Sequence, residues 1–202
     1  VAEVLRVSLE ENLAMIRDTI AFLREMGREV IYDAEHFFDG WKANPDYARK
    51  TIQAAVEGGA MIIVMCDTNG GTLPAEVGRI VSEVIAAGLP GDHLGIHCHD
   101  DTGCAVANSM AAVEAGAGHV QGTLNGLGER TGNTNLTTVI PNLQLKLGYT
   151  CLPDGRIERL TAVSHHVAET LNRAVNPQAP YVGSSAFAHK AGLHVSAIVR
   201  AK

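Results

Sequence analysis

Apolar and polar positions along the chain alternate between two periods. Leu13, Ile16, Ile20 and Leu23 recur at helical spacing, the pattern of a helix with one buried face. Ser8 followed three residues later by Glu11 is a capping-box signature, and Gly27 supplies a stop. A strand over residues 29–34 is predicted next. Asn44 as N-cap with Pro45 at the first helical position opens a second helix that runs to Gly58 and feeds a strand over 60–66. Val77, Ile80, Val81 and Val84 line one face of a helix over 74–87. The remaining predicted elements are a strand over 93–99, a helix over 103–115, a strand over 119–124 and a helix over 135–147 closed by Gly148.

These blocks repeat as units. Ala-Ala-Val-Glu-Gly-Gly-Ala at 54–60 recurs as Ala-Ala-Val-Glu-Ala-Gly-Ala at 111–117, each time as a helix end leading into a strand. Strand beginnings near 29, 61, 93 and 119 are spaced by about thirty residues, the length of a βα unit, and the strands' apolar runs suit a parallel sheet covered by helices. Periodicity does not separate an open doubly wound sheet from a closed barrel, because both use right-handed βαβ units. After Gly148 the rhythm changes to a helical segment around 155–173, a Pro-containing connector from Asn176 to Gly183 and a final helical pattern. The predicted organisation is an α/β part over 1–148 and a smaller helical region over 149–202.

Composition narrows the function classes. With 202 residues, 46% hydrophobic and 19% charged, the chain can bury a sizeable core. A net charge of −6 without a basic run argues against a nucleic-acid or anionic-membrane partner. The longest apolar run, residues 60–65, is far shorter than the roughly 20 residues of a bilayer span, and residues 1–20 lack a signal-peptide pattern; a cytoplasmic location is the expectation. Cys66, Cys98, Cys104 and Cys151 form no C-x-x-C pair, so they read as reduced thiols.

In parallel α/β folds, functional groups sit after the carboxyl ends of the strands. Those positions are polar here: Asp33 and Glu35; Asp67, Thr68 and Asn69; His97, His99 and Asp100; Asn125, Glu129, Arg130 and Asn133. Strand alternation puts His97 and His99 on one face and Cys98 on the other, with roughly 6.6 Å between the histidine Cα atoms. Two imidazoles with an amide or carboxylate oxygen suit a borderline divalent cation such as zinc, manganese or cobalt with positions left open for a substrate. A structural zinc would want four closed ligands, usually with cysteine, and Cys98 faces away. Taken singly, Asn133 also fits a helix cap, Asp67 and Asn69 a turn, and Glu35 a solvated loop. The glycine-rich segment 125–133 lacks the lysine of a P-loop and the spacing of a dinucleotide fingerprint.

Five stretches carry a resemblance: Tyr32-Asp-Ala-Glu-His-Phe-Phe-Asp-Gly40, Cys66-Asp-Thr-Asn-Gly-Gly71, Gly95-Ile-His-Cys-His-Asp100, Gly128-Glu-Arg-Thr-Gly-Asn133 and Ala186-Phe-Ala-His-Lys-Ala-Gly-Leu-His194. Together, and in this order, they resemble the citramalate synthase branch of the 2-isopropylmalate and homocitrate synthase family, metal-dependent Claisen-type acyltransferases on a (β/α)8 TIM barrel. The resemblance implies that His97, His99 and Asn133 bind a divalent metal (manganese, zinc or magnesium), that Thr68 holds the carboxylate of a 2-oxo acid, that Glu35 lies beside the reacting centre and that His194 is the base. It implies acetyl-CoA as co-substrate, pyruvate as the oxo acid, a place in isoleucine- or leucine-type biosynthesis, and a homodimer.

The family's aspartate ligand, in an Asp-Arg-Glu motif on its first barrel strand, has no counterpart here. Four predicted strands against the eight of a closed barrel make the chain the expected second half of a barrel followed by the start of a helical linker, and such a piece is expected to be inactive alone. Competing expectations are a 2-isopropylmalate or homocitrate synthase, a carbon–carbon lyase like hydroxymethylglutaryl-CoA lyase, and a metal-binding barrel fragment without activity.

Overall fold

The computed structural model describes residue 1, residues 3–189 and residues 191–201. Two compact units divide the chain, one from Val1 to Thr134 and the other from Asn135 onward.

In the first unit, α1 (Leu9–Glu25) starts where its cap predicts, with the Ser8 hydroxyl accepting from the Glu11 N–H at 3.1 Å. Strand β1 (Ile31–Ala34) follows, then α2 (Phe37–Ala43), α3 (Pro45–Gly58), β2 (Ile62–Asp67), α4 (Pro74–Ala86), β3 (Leu94–Cys98), α5 (Ala105–Glu114) and β4 (His119–Gln121). Among the described residues four strands form one parallel sheet in the order β1-β2-β3-β4. The sheet curls. In a flat sheet β1 and β4, three strand spacings apart, would be separated by roughly 14 Å, yet the Gln121 side-chain amide donates to Asp33 Oδ1 at 2.9 Å. Curvature toward that face is what a barrel wall requires, and it decides between the two architectures that the periodicity leaves open.

Alternation along each strand sorts side chains between the two faces. Ile63 and Met65 of β2 and Leu94, Ile96 and Cys98 of β3 pack outward against Ile52 of α3 and Val77, Ile80, Val81 and Val84 of α4. This outward layer is the hydrophobic core. Gly58 permits close packing of α3 on α1, since a Cβ there would meet Arg17 O at 2.7 Å and Ile20 Cβ at 2.8 Å. The concave face carries Asp33, His97 and Gln121. No helix among the described residues is long and apolar enough to cross a membrane.

Three segments differ from the sequence reading. Helix α2 is not predicted from the pattern, because it has seven residues, no side-chain cap and a left-handed His36 at its N-cap. Burial of Phe37, Phe38 and Trp41 holds it instead. Strand β4 stops at Gln121 instead of 124, because Leu124–Gly126 turn as a short 3-10 segment and Thr123 N–H donates to Thr134 O at 3.0 Å. In the second unit, the helix predicted over 135–147 becomes α6 (Leu136–Pro141) followed by a π-helical turn at Asn142–Lys146. Pro141 has no N–H for the ladder, so the register widens there. Helices α7 (Leu160–Thr170) and α8 (Gly192–Arg200) complete that unit.

Candidate metal centre at the strand ends

Strand β3 pairs Cys66 with His97 on one side and His97 with Gln121 on the other. His97 and His99 lie on the concave side with ring centroids 5.4 Å apart. Cys98 is buried in the outward core at 1% exposure. Burial, with the Asp67 carboxylate beside it, pushes the Cys98 thiol well above its ordinary range, which keeps it protonated and a poor ligand.

The loop after β4 returns across the end of β3. Thr134 N–H donates to Cys98 O at 2.9 Å, Asp100 N–H donates to Gly132 O at 3.0 Å, and His99 and Asn133 form an antiparallel bridge. Asn133 thereby brings Oδ1 to 3.1 Å from His97 Nε2. Two glycines permit this approach. A Cβ on Gly128 would collide with the Asn133 amide, and Gly132 has φ +107°, where a Cβ would run into the Gly126 carbonyl.

These atoms fit a cation. The Asn133 amide is oriented by its Nδ2 donating to Leu127 O at 3.1 Å, so the atom facing the imidazole is the oxygen. His99 Nδ1 is buried with no hydrogen-bond partner among the described residues. Buried polar atoms are ordinarily partnered, and such an orphan calls for an explanation such as an ion. The pKa of His99 is lowered by burial first and then by Arg130 and His97, which favours the neutral ring that a metal requires. Among the described residues no third histidine, cysteine or carboxylate joins the pair, so the protein donors available are two imidazoles and an amide oxygen.

Thr68 and Glu35 meet at the ends of β2 and β1. The Thr68 hydroxyl donates to Glu35 Oε2 at 2.9 Å and accepts from His36 N–H at 2.7 Å. Arg130 ties three loops together: its guanidinium donates twice to Asp101, both at 2.8 Å, and once to Thr68 O at 2.7 Å. These bonds offset the cost of a left-handed backbone at φ 54°, and the Arg130 hydrogen bonds hold the Asp101 carboxyl below its usual range. Sequence reasoning counts Arg130 among the strand-end groups without assigning it this clamp.

Other strand-end residues turn elsewhere. Asp67 is buried on the helical side and accepts from Thr72 and Asn108. Asn69 donates to Asp39, and Asp100 accepts from the Ala105 N–H at the start of α5. His194 belongs to α8, and its side chain lies outside the described residues. Sequence reasoning misses Gln121, whose Oε1 lies 2.9 Å from His97 Nδ1. Its only sequence signal is sharing the phase of His119 on β4; the pairing with His97 is long-range.

Residues 1–167 match the HMGL-like family. The chain is 58% identical to an (R)-citramalate synthase of Synechocystis over 99% of its own length and 38% of that protein's. It is 39% identical to a homocitrate synthase of Methanopyrus kandleri, covering 96% of this chain and 47% of that one. It thus spans less than half the length of these curated relatives. The crystal structure of the Bacillus subtilis HMG-CoA lyase superposes with a TM-score of 0.72 at 18% identity, over 86% of this chain and 60% of that one, a likeness of fold.

Proposed function

Because the chain belongs to the HMGL-like family, we propose that it forms part of an enzyme that condenses acetyl-CoA with a small 2-oxo acid, pyruvate, to give citramalate. The observation that carries this reading is the convergence of His97, His99 and the oriented oxygen of Asn133 on the concave rim. The 58% identity to a citramalate synthase, against 39% to a homocitrate synthase, supports pyruvate as the oxo acid.

In this reading His97, His99 and Asn133 hold a divalent cation. When bound, the cation supplies Lewis-acid polarisation of the oxo acid's ketone. The remaining work falls to the chain. Thr68, whose hydroxyl proton is now shared with Glu35, redirects that proton to the substrate carboxylate. Arg130 keeps the Thr68 backbone and the Asp101 loop in place while this occurs. Glu35 stands beside the reacting carbon. His194 takes a proton from the acetyl methyl group, the new carbon–carbon bond forms at the ketone carbon, and the ketone oxygen is protonated. Water then cleaves the thioester and releases coenzyme A.

Turnover with pyruvate and with 2-oxoisovalerate tests the substrate assignment in the complete enzyme of which this chain forms part. Pyruvate is expected to be preferred by at least about tenfold in kcat/KM, equivalent to about 1.4 kcal/mol of differential transition-state binding. Equal or reversed preference would move the protein to the isopropylmalate-forming activity.

His194→Ala is expected to lower kcat by roughly 10²–10⁴-fold, the span of a lost general base, while metal affinity stays unchanged. Metal titration of the variant checks the separation, and loss of the ion would reassign His194 as a ligand.

A further inference from the structure

A hydrogen-bonded chain runs behind His97 along the concave face. Asp33 Oδ1 accepts from Gln121 Nε2 at 2.9 Å, and Gln121 Oε1 lies 2.9 Å from His97 Nδ1. The direction of this chain is fixed by chemistry. A carboxylate only accepts, so Gln121 must turn its NH₂ toward Asp33 and its oxygen toward the imidazole. An amide oxygen also only accepts, so His97 Nδ1 must carry the ring's hydrogen. In a neutral ring Nε2 then holds a lone pair, and that lone pair faces Asn133 Oδ1 at 3.1 Å. Asn133 cannot turn to donate, because its Nδ2 already donates to Leu127 O. In the neutral ring two acceptors therefore face each other across a hydrogen-bond distance, an arrangement that a shared cation relieves and that otherwise requires a proton on Nε2 and a charged ring.

We propose that Gln121 and Asp33 are positioning residues that lock His97 in its Nδ1–H tautomer and aim Nε2 at the metal. The proposal rests on the metal-site reading above and adds to it the two residues that make the site competent. A partner on the far nitrogen of a metal-binding histidine fixes the ring and raises its basicity, and its removal typically lowers metal affinity by about 10–100-fold. Here the partner is an amide, and the carboxylate sits one bond further back. Asp33 orients the amide, and without a carboxylate at that position Gln121 could flip and offer its NH₂ to His97, which would select the other tautomer. The same contact joins β1 to β4, so the curl of the sheet is what brings the positioning carboxylate within reach of the ligand's partner.

The test uses the full chain labelled with ¹⁵N-histidine. In the metal-free protein above the histidine titration range, the two ring nitrogens of His97 are expected to resonate as an Nδ1–H, bare-Nε2 imidazole. Gln121→Leu should convert His97 to a tautomer mixture and weaken zinc binding by about 10–100-fold. Gln121→Glu paired with Asp33→Asn reverses the donor and acceptor at the inner contact but keeps an acceptor facing His97, so it should restore both readouts. A purely structural Gln121 would not move the tautomer, and the double variant would not rescue it. An Nε2–H tautomer in the unsubstituted protein overturns the proposal without reference to any variant, as does a Gln121→Leu protein with unchanged tautomer and zinc affinity. If zinc binding survives His97→Ala, the metal-site reading fails, and the tautomer result reports on the chain separately.

Discussion

His97→Ala and His99→Ala are each expected to abolish tight zinc or manganese binding in the full chain, whereas Cys98→Ser keeps the ion. The imidazoles share the concave face, and Cys98 is packed in the core on the other side. Loss of a direct ligand should exceed the roughly 10–100-fold cost of losing an outer partner. Placing a hydroxyl where a thiol is buried among apolar groups costs about 1–3 kcal/mol of stability, read as a lower unfolding temperature at unchanged metal content. Binding should also weaken as pH falls through the histidine range near 6.5, because protons compete for the same lone pairs. The lowered pKa of His99 keeps that ring available to a lower pH than an ordinary histidine. Metal analysis of the three variants decides the matter. Retention in the histidine variants with loss in Cys98→Ser would mean a strand register shifted by one residue.

Gly132→Ala is expected to have the second large effect. Its φ of +107° disfavours any L-residue, and a Cβ would run into the Gly126 carbonyl. That carbonyl is also the acceptor for the Asn133 N–H at 3.2 Å, so moving it moves the residue that faces His97. The expected result is a metal affinity lower by about tenfold or more, together with a stability loss of roughly 1–3 kcal/mol. Gly148→Ala is the control. It has φ +75° and nothing within 4 Å of its Cβ position, so it carries the left-handed penalty of about 1–2 kcal/mol and no collision. Metal titration and thermal unfolding of the two variants separate backbone strain from displacement of Asn133. Equal metal affinity in both would show that the loop closes around Asn133 without help from Gly132.

The elements that local rules specify are legible in the sequence. Ser8, Asn44 and Pro45 start their helices where capping predicts, and the four strands appear in order with parallel pairing. Cys98 faces the core as alternation requires. What escapes the sequence depends on distant partners. Helix α2 exists because three aromatic side chains are buried under it, and seven residues without a side-chain cap are too short for a local pattern to specify a helix. The π turn after Pro141 needs knowledge of how the chain continues once the proline removes a donor. Within the site, His97 and His99 stand out through their spacing, but Gln121 resembles any polar residue on a short strand. Only the register that sets it opposite His97, and the curl that brings Asp33 within 2.9 Å of its amide, give it a role. Arg130 is similar, since its two partners, Asp101 and Thr68, lie 29 and 62 residues away in sequence.

The most direct test of the metal assignment is X-ray absorption at the zinc edge of the zinc-loaded full chain. The expected first sphere is nitrogen and oxygen at about 2.0–2.2 Å, with the outer-ring scattering of two imidazoles and no sulfur. A sulfur contribution at about 2.3 Å, or a spectrum unchanged in His97→Ala and His99→Ala, would contradict it.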